Sequence, residues 1–278
     1  MTTTSQTTLA SLHRQDRQQL PSRVIELHGL PVHALTEAQV IHFVLSELDA
    51  GHGGWMVPTN LDVLRQFHRD PEIAGICSEA SLFVADGAPL VWASWLQGTP
   101  LPGRVAGSTL ISQLSGEAAG RRRSIFLLGG DEGTAEAAGD ALRRRFPSLV
   151  VGGCLCPPLG FEMDPAQMAA IEATLRSAAP DIVFVALGFP KQERLIKHLK
   201  DQFPETWWIG VGISFSFLSG RLRRAPVWMQ RTGLEWIHRL AQEPRRLSRR
   251  YLWDGIPFAA QLLATSAWRG LHRPGAVS

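Results

Sequence analysis

This chain of 278 residues has few cysteines and no long apolar run. Its three cysteines, Cys77, Cys154 and Cys156, are too few for a disulfide framework, and Cys154-x-Cys156 is not the C-x-x-C spacing of redox or zinc sites. No segment reaches the ~18 consecutive apolar residues that indicate a membrane-spanning helix. We therefore expect a protein of a reducing cytoplasm without a spanning helix.

Motifs of several enzyme classes are also missing. The chain has no D-x-D pair of the kind that holds Mn²⁺ or Mg²⁺ at a diphosphate, no H-E-x-x-H and no G-x-S-x-G. It has no dinucleotide fingerprint and no Tyr-x-x-x-Lys pair, since Tyr251 is the only tyrosine. These absences disfavour a nucleotide-sugar epimerase or dehydrogenase. We predict neither a metal ion nor an organic cofactor.

Charge is unevenly distributed along the chain. From Arg221 onward eleven arginines stand against three acidic residues, a net charge of +8, whereas the remaining residues carry a net charge of −5. A basic tail attracts nucleic acid, anionic lipid or a diphosphate ligand. The chain has no RNA-binding signature such as an RNP motif, so no nucleic-acid partner is predicted. Tryptophan interleaved with arginine is typical of a helix at a membrane surface, here the anionic inner face of the cell membrane.

Apolar runs alternate with helical patterns over most of the chain. Seven runs predict strands, and the segments between them show helical spacing; the runs are residues 24–32, 54–57, 81–85, 124–128, 149–153, 181–187 and 207–211. Short apolar strands separated by helices indicate an α/β fold, Rossmann-like, with a mainly parallel sheet and helices on both faces.

The predicted organisation has three parts. Residues 1–22 form a disordered lead-in without a secretory signal, residues 23–220 the α/β catalytic domain, and residues 221–278 a basic helical appendage rich in arginine and tryptophan. Residues 24–32 are interpreted as one strand with its exit, and residues 225–242 as one helix.

A carboxylate and an arginine lie close to one predicted edge of the sheet. Asp86 follows the apolar run of residues 81–85 in an Asp-Gly pair, and Arg104 lies in a turn framed by proline and glycine. An Asp-Gly pair is most often a simple turn, but ligands bind at the carboxyl ends of strands in open α/β sheets. Asp86 is therefore a candidate general base and Arg104 a candidate anion clamp, with the turn interpretation left open.

Two more pairs of residues follow predicted strands at the same edge. Thr59 and Asn60 fit equally a helix N-cap and contacts to a sugar or nucleobase. Gln192 and Glu193 belong to the polar stretch P-K-Q-E-R, which favours substrate contacts over a solvated helix cap.

Gly129 and Gly130 lie at a strand-to-helix junction that suits a nucleotide. Backbone N–H groups and a helix N-terminus attract anionic oxygens. Asp131 and Glu132 follow directly and would repel a phosphate, so a ribose or uracil is the better occupant.

Seven ordered motifs between residues 24 and 251 carry a resemblance to a known family. They are T-N-L-D-V-L (59–64), A-D-G-A-P-L-V-W-A (85–93), P-L-P-G-R-V-A-G-S (100–108), F-L-L-G-G (126–130), P-D-I-V-F-V-A-L-G-F-P-K-Q-E-R (180–194), R-A-P-V-W-M-Q-R-T-G-L-E-W (224–236) and R-L-x-x-E-P-R-R-L-x-x-R-Y (239–251). The chain resembles the bacterial glycosyltransferases that include N-acetylmannosamine, N-acetylmannosaminuronic acid and exopolysaccharide transferases.

The resemblance implies an inverting, metal-independent hexosyltransferase. Its donor would be a UDP-sugar and its acceptor an undecaprenyl-diphosphate-linked saccharide of surface polysaccharide synthesis. The family's general base falls on Asp86, and its pocket residues fall on Asn60, Arg104 and Gln192. The appendage would guide membrane association and complete the site across a contact between copies of the chain. Its arginines fall among Arg224, Arg231, Arg239, Arg245 and Arg246.

Two other functions stay open beside this one. One is a nucleotide-sugar-modifying enzyme, an epimerase or dehydrogenase. The other is a non-catalytic module that binds lipid diphosphates at a membrane through its basic appendage.

At position 216 the chain has serine where the family often has aspartate, which puts any role of that carboxylate in doubt.

Overall fold

A six-stranded parallel sheet is the centre of this computed structural model, which describes residues 23–272. The strands lie in the order β4-β3-β8-β7-β5-β6, and every neighbouring pair runs parallel. The predicted α/β class with helices on both faces is therefore confirmed. The predicted lead-in, residues 1–22, lies outside the described residues.

Eight strands and thirteen α-helices make up the described chain. The strands are β1 (Val24–Leu27), β2 (Leu30–His33), β3 (Gly54–Thr59), β4 (Leu82–Ala85), β5 (Ser124–Gly129), β6 (Val150–Leu155), β7 (Ile182–Ala186) and β8 (Trp207–Gly210). The helices are α1 (Glu37–Asp49), α2 (Leu61–Arg69), α3 (Pro71–Cys77), α4 (Ala88–Leu96), α5 (Gly107–Gly120), α6 (Thr134–Arg145), α7 (Pro165–Ala178), α8 (Lys191–Leu199), α9 (Ser214–Leu218), α10 (Val227–Thr232), α11 (Glu235–Gln242), α12 (Pro244–Ser248) and α13 (Ile256–Leu271). A π-helical stretch, Arg249–Gly255, joins α12 to α13.

Both faces of the sheet are covered, because successive side chains of a strand point to opposite sides. On β5, Phe126 and Leu128 belong to one apolar cluster, whereas Ile125 and Leu127 belong to the other. The first cluster also contains buried residues of α2, α3, α4, α7, α8 and α13, and the second contains those of α1, α5 and α6. Strands buried on both faces account for the near-continuous apolar runs of the sequence.

The appendage is partly built into this core. Phe258 and Leu262 of α13 are fully buried in the first cluster, and α13 packs along α4. In contrast, α10 and α11 contain no buried residue. The domain boundary at residue 220 stays a prediction, but the last helix contributes to the same core as the sheet.

Two local predictions are wrong. Residues 24–32 do not form a single strand but most of an antiparallel hairpin, β1–β2, whose turn at His28 and Gly29 has positive φ at both positions. Residues 225–242 do not form one helix either: α10 ends at Thr232, and Gly233 adopts φ +76°, which lets the chain turn before α11 begins.

Close contact between β3 and β8 leads to a test of core packing. A Cβ on Gly54 would lie 2.6 Å from the Trp207 ring. Gly54→Ala should therefore destabilise the fold by about 1–3 kcal/mol through overpacking. Gly75, inside α3, has open space around its Cα, so Gly75→Ala should stabilise by about 0.5–1 kcal/mol. Urea unfolding measures the change in the free energy of unfolding for both variants. Changes of the same sign and size in the two variants would contradict this account.

Candidate functional site

The ends of β3 and β4 and the loop before α5 meet at the carboxyl edge of the sheet. The Asp86 N–H donates to the Thr59 carbonyl oxygen at 2.8 Å, which joins the ends of β4 and β3. The Val105 N–H donates to the Ala85 carbonyl at 2.8 Å, so the loop that carries Arg104 follows the end of β4. Candidate side chains distant in sequence are thereby brought to one edge.

Asp86 is held at the N-terminus of α5. Its Oδ2 accepts from the Gly107 N–H at 3.3 Å, one of the N–H groups that a helix cannot satisfy internally. The residue keeps part of its surface open to solvent. Burial of the carboxyl raises the pKa of Asp86, and the positive charge of Arg104, the Gly107 N–H and the charge of Arg239 oppose that rise. Asp86 is therefore partly accessible to solvent, and its carboxylate is more basic than that of an ordinary aspartate.

A bridge of two arginines and one glutamate lies beside Asp86. Arg104 Nη1 donates to Glu235 Oε2 at 2.9 Å, and Arg224 Nε lies 3.6 Å from Glu235 Oε1. Arg224 Nη2 also donates to the Thr109 hydroxyl at 2.8 Å on α5. Arg104 and Arg224, both predicted from the sequence, therefore come together through a carboxylate of the appendage.

Two further charged residues lie at this edge: Arg239, one of the arginines that the resemblance implied, and Glu37, which was not predicted. Arg239 acts on the pKa of Asp86, and its buried Nε has no hydrogen-bond partner among the described residues. The Glu37 carboxyl in the first turn of α1 interacts with Arg224, Arg104 and Asp86, and burial raises its pKa. We call Glu37, Asp86, Arg104, Arg224, Glu235 and Arg239 the charge cluster. Arg239 and Glu235 both lie in motifs that carry the resemblance, but no role was predicted for Glu235, and no motif contains Glu37.

Thr59 and Asn60 take local structural roles in the fold. Thr59 is fully buried and its hydroxyl donates to the Val57 carbonyl at 3.2 Å. Asn60 is the N-cap of α2, where its side-chain oxygen accepts from the N–H groups of Asp62 and Val63. The N-cap interpretation is therefore confirmed for Asn60, and contacts of either residue to a ligand stay a prediction.

Gly129 and Gly130 both adopt the left-handed backbone region, with φ +100° and +85°. A Cβ on Gly129 would lie 2.9 Å from Leu187, and one on Gly130 would meet the Thr134 hydroxyl. The Gly130 N–H donates to the Ala186 carbonyl at 2.8 Å and is therefore engaged inside the fold. Packing explains both glycines, and nucleotide binding by this loop stays a prediction.

Gln192 and Glu193 form a buried pair beneath the end of β8. Gln192 Nε2 donates to Glu193 Oε1 at 2.9 Å, while Gln192 Oε1 and Glu193 Oε2 have no hydrogen-bond partner among the described residues. Burial raises the pKa of Glu193 to about 8, and the hydrogen bond from Gln192 opposes that rise. Glu193 is thus a neutral acid at neutral pH, sealed at 1% exposure.

Arg231, the remaining predicted residue, is exposed on α10 and forms no ion pair with another described residue. Its contact with a substrate stays a prediction. Among residues 23–272, no helix has the length and apolar character needed to cross a membrane.

Comparison with known proteins identifies the family of this chain. The model of the Glycosyl transferase WecG/TagA/CpsF family matches residues 25–272. The chain belongs to this family. It is accordingly a glycosyltransferase, and the resemblance that seven motifs indicated is confirmed.

Two curated relatives are similar to this chain over most of their length. A protein of Bacillus spizizenii (strain ATCC 23059 / NRRL B-14472 / W23) is 31% identical over 210 residues, which cover 76% of this chain and 79% of the relative. A protein of Bacillus subtilis (strain 168) is 29% identical over 224 residues, or 80% of this chain and 85% of the relative. Both are named N-acetylglucosaminyldiphosphoundecaprenol N-acetyl-beta-D-mannosaminyltransferase.

The buried acid Glu193 predicts a pH-dependent loss of stability. The unfolded side chain releases its proton near pH 4.5, whereas the folded one keeps it to about 8. Stability from this group is therefore complete below pH 4.5 and falls as the pH rises to 8. Relative to wild type, Glu193→Gln should become steadily more stable across that range, by several kcal/mol in total.

Urea unfolding at several pH values measures this difference. Glu162→Gln is the matched control, because Glu162 is exposed and the hydrogen bond from Lys191 lowers its pKa, so that its titration lies below this range. A difference between wild type and Glu193→Gln that stays constant with pH would show that Glu193 ionises normally.

Proposed function

We propose that this glycosyltransferase moves a sugar from a UDP-sugar to an undecaprenyl-diphosphate-linked saccharide, in surface polysaccharide synthesis, with inversion and without a metal ion. The curated relatives are named for transfer to such a lipid-linked acceptor. The observation that carries the proposal is Asp86, a basic, partly open carboxylate facing Arg104 and Arg239 at the sheet edge.

Asp86 is the proposed general base. Its carboxylate takes the proton of an acceptor hydroxyl while that oxygen bonds to the anomeric carbon of the donor. The bond from the anomeric carbon to the diphosphate oxygen breaks, and its electron pair leaves with UDP. A single displacement inverts the anomeric configuration. The raised pKa makes Asp86 a stronger proton acceptor than an exposed aspartate.

Arginines are the proposed counter-charges for the departing UDP. A guanidinium pairs with phosphate oxygens in bidentate geometry and keeps its charge at every physiological pH. Arg104, Arg224 and Arg239 come from two distant parts of the chain, and each interacts with a carboxylate of the charge cluster. They would take the part that a divalent ion plays where a D-x-D pair holds one.

The appendage is the proposed membrane contact, on the inner face of the cell membrane. It exposes large apolar side chains among arginines that are themselves exposed, such as Arg245 and Arg249. The exposed apolar residues are Val227, Trp228, Ile237, Leu252, Trp253, Ile256, Trp268 and Leu271. Exposed tryptophan and arginine within one appendage suit an anionic lipid interface. Assembly of copies through the appendage stays a prediction.

Replacing the proposed base tests the chemistry. Asp86→Asn should reduce turnover by at least ~100-fold, because the amide cannot accept the hydroxyl proton. UDP binding should not weaken, since the substitution removes a negative charge beside the arginines. Sugar transfer to a lipid-diphosphate acceptor measures turnover, and calorimetry measures UDP binding.

Asp131→Asn is the control for this substitution. Asp131 is a well-exposed acid after β5 at the same edge, outside the charge cluster. Near-wild-type turnover of Asp86→Asn would refute the base assignment. UDP binding and vesicle binding without any transfer by the wild-type protein would favour a lipid-diphosphate-binding module.

Removing exposed apolar groups tests the membrane contact. Trp253 and Leu271 are 78% and 83% exposed on the appendage, whereas Leu159 and Met163 are 99% and 85% exposed outside it. Replacing Trp253 and Leu271 with serine should lower co-sedimentation with anionic vesicles by roughly tenfold or more, because buried apolar area supports interfacial binding. The matched pair Leu159→Ser and Met163→Ser should bind as wild type does, and equal losses in both pairs would contradict this surface.

A further inference from the structure

The charge cluster is balanced within the protein. Three guanidinium groups, those of Arg104, Arg224 and Arg239, face the carboxyl groups of Glu37, Asp86 and Glu235. With all six ionised, the cluster has no net positive charge to offer a diphosphate. A doubly charged ligand therefore gains most if one carboxylate withdraws from the arginines.

Glu235 lies in the position that an anionic ligand would take. One of its oxygens accepts from Arg104 at 2.9 Å, and the other lies 3.6 Å from Arg224 Nε. Two oxygens of a phosphoryl group would engage two guanidinium groups in the same way. Arg224 Nε is buried and has no hydrogen-bond partner among residues 23–272, so this donor is available to a closer acceptor.

Glu235 is also the carboxylate with the least fixed support. Asp86 is tied to the Gly107 N–H, and Glu37 belongs to α1, which buries six of its residues. Glu235 begins α11 just after the turn at Gly233, and neither α10 nor α11 buries a residue. Such a segment shifts at lower free-energy cost than a core helix.

We infer that Glu235 is a built-in competitor for the diphosphate, holding Arg104 and Arg224 until the ligand takes its place. The inference rests on the proposed function in one respect, the identification of the ligand as a nucleoside diphosphate. Occupation by Glu235 weakens diphosphate binding, because part of the ligand's interaction energy replaces an existing ion pair. Weaker binding of the leaving UDP also favours its release after transfer.

The test is the affinity of UDP and of inorganic pyrophosphate, measured by calorimetry without sugar transfer. Glu235→Gln keeps the side-chain shape but removes the charge, so both ligands should bind roughly tenfold more tightly than to wild type. Glu235→Asp keeps the charge and should bind close to wild type. Asp254→Asn, which removes an acid of the same appendage that pairs with Arg65 outside the charge cluster, should leave affinity unchanged.

A double-mutant comparison ties the effect to the two arginines. In a chain with both Arg104→Gln and Arg224→Gln, the gain in affinity from Glu235→Gln should disappear. The two guanidinium groups for which Glu235 and the ligand compete are then absent. Persistence of the gain there would overturn the inference.

Other outcomes also decide the matter. Unchanged or weaker binding by Glu235→Gln overturns the inference and leaves the proposed function standing if transfer is observed. Failure of Glu235→Gln to fold overturns it too, because a ligand cannot displace a contact on which folding depends. Tighter binding without any sugar transfer supports the competitor role while refuting the proposed reaction. No binding to any variant refutes the anion site itself.

Discussion

The site depends on one carboxylate that is withdrawn from water at the end of β4. Burial raises the pKa of Asp86, and the groups that oppose this rise are Arg104, the Gly107 N–H and Arg239. Arg104 belongs to the loop before α5, whereas Arg239 belongs to α11, more than a hundred residues later. The pKa of this carboxyl therefore depends on the α/β body and on the appendage together.

Two kinds of contact hold the appendage, and they restrict the movement of its helices to different degrees. Phe258 and Leu262 fix α13 in the main core by burying apolar area, which is insensitive to ligand or salt. The α10–α11 segment is held through ion pairs of Glu235 and the close approach of Gly233 to Ala88 and Trp92. Because α13 is fixed in the core, the α10–α11 segment, which buries no residue, can shift at the site without loss of the fold.

The sequence predicts the sheet because strands buried on both faces leave apolar runs, and it predicts Asp86 and Arg104 because both lie beside a strand end. The hairpin was missed because its turn uses His28-Gly29, not the Asn-Gly or Asp-Gly pair that usually marks one. Glu235 was missed for another reason. It meets Arg104 across 131 residues, and no local pattern encodes a pairing set by tertiary packing.

Asp86 and Glu193 show why a raised pKa does not by itself identify a base. Burial raises the pKa of both carboxyls, and both follow strands of the same sheet edge. Glu193 is sealed, and the only group opposing its desolvation besides its own N–H is the neutral amide of Gln192, so it stays protonated. Asp86 is partly open and faces guanidinium charge. Proton abstraction requires an accessible oxygen, so partial exposure and nearby guanidinium charge favour Asp86 over Glu193 as the proposed base.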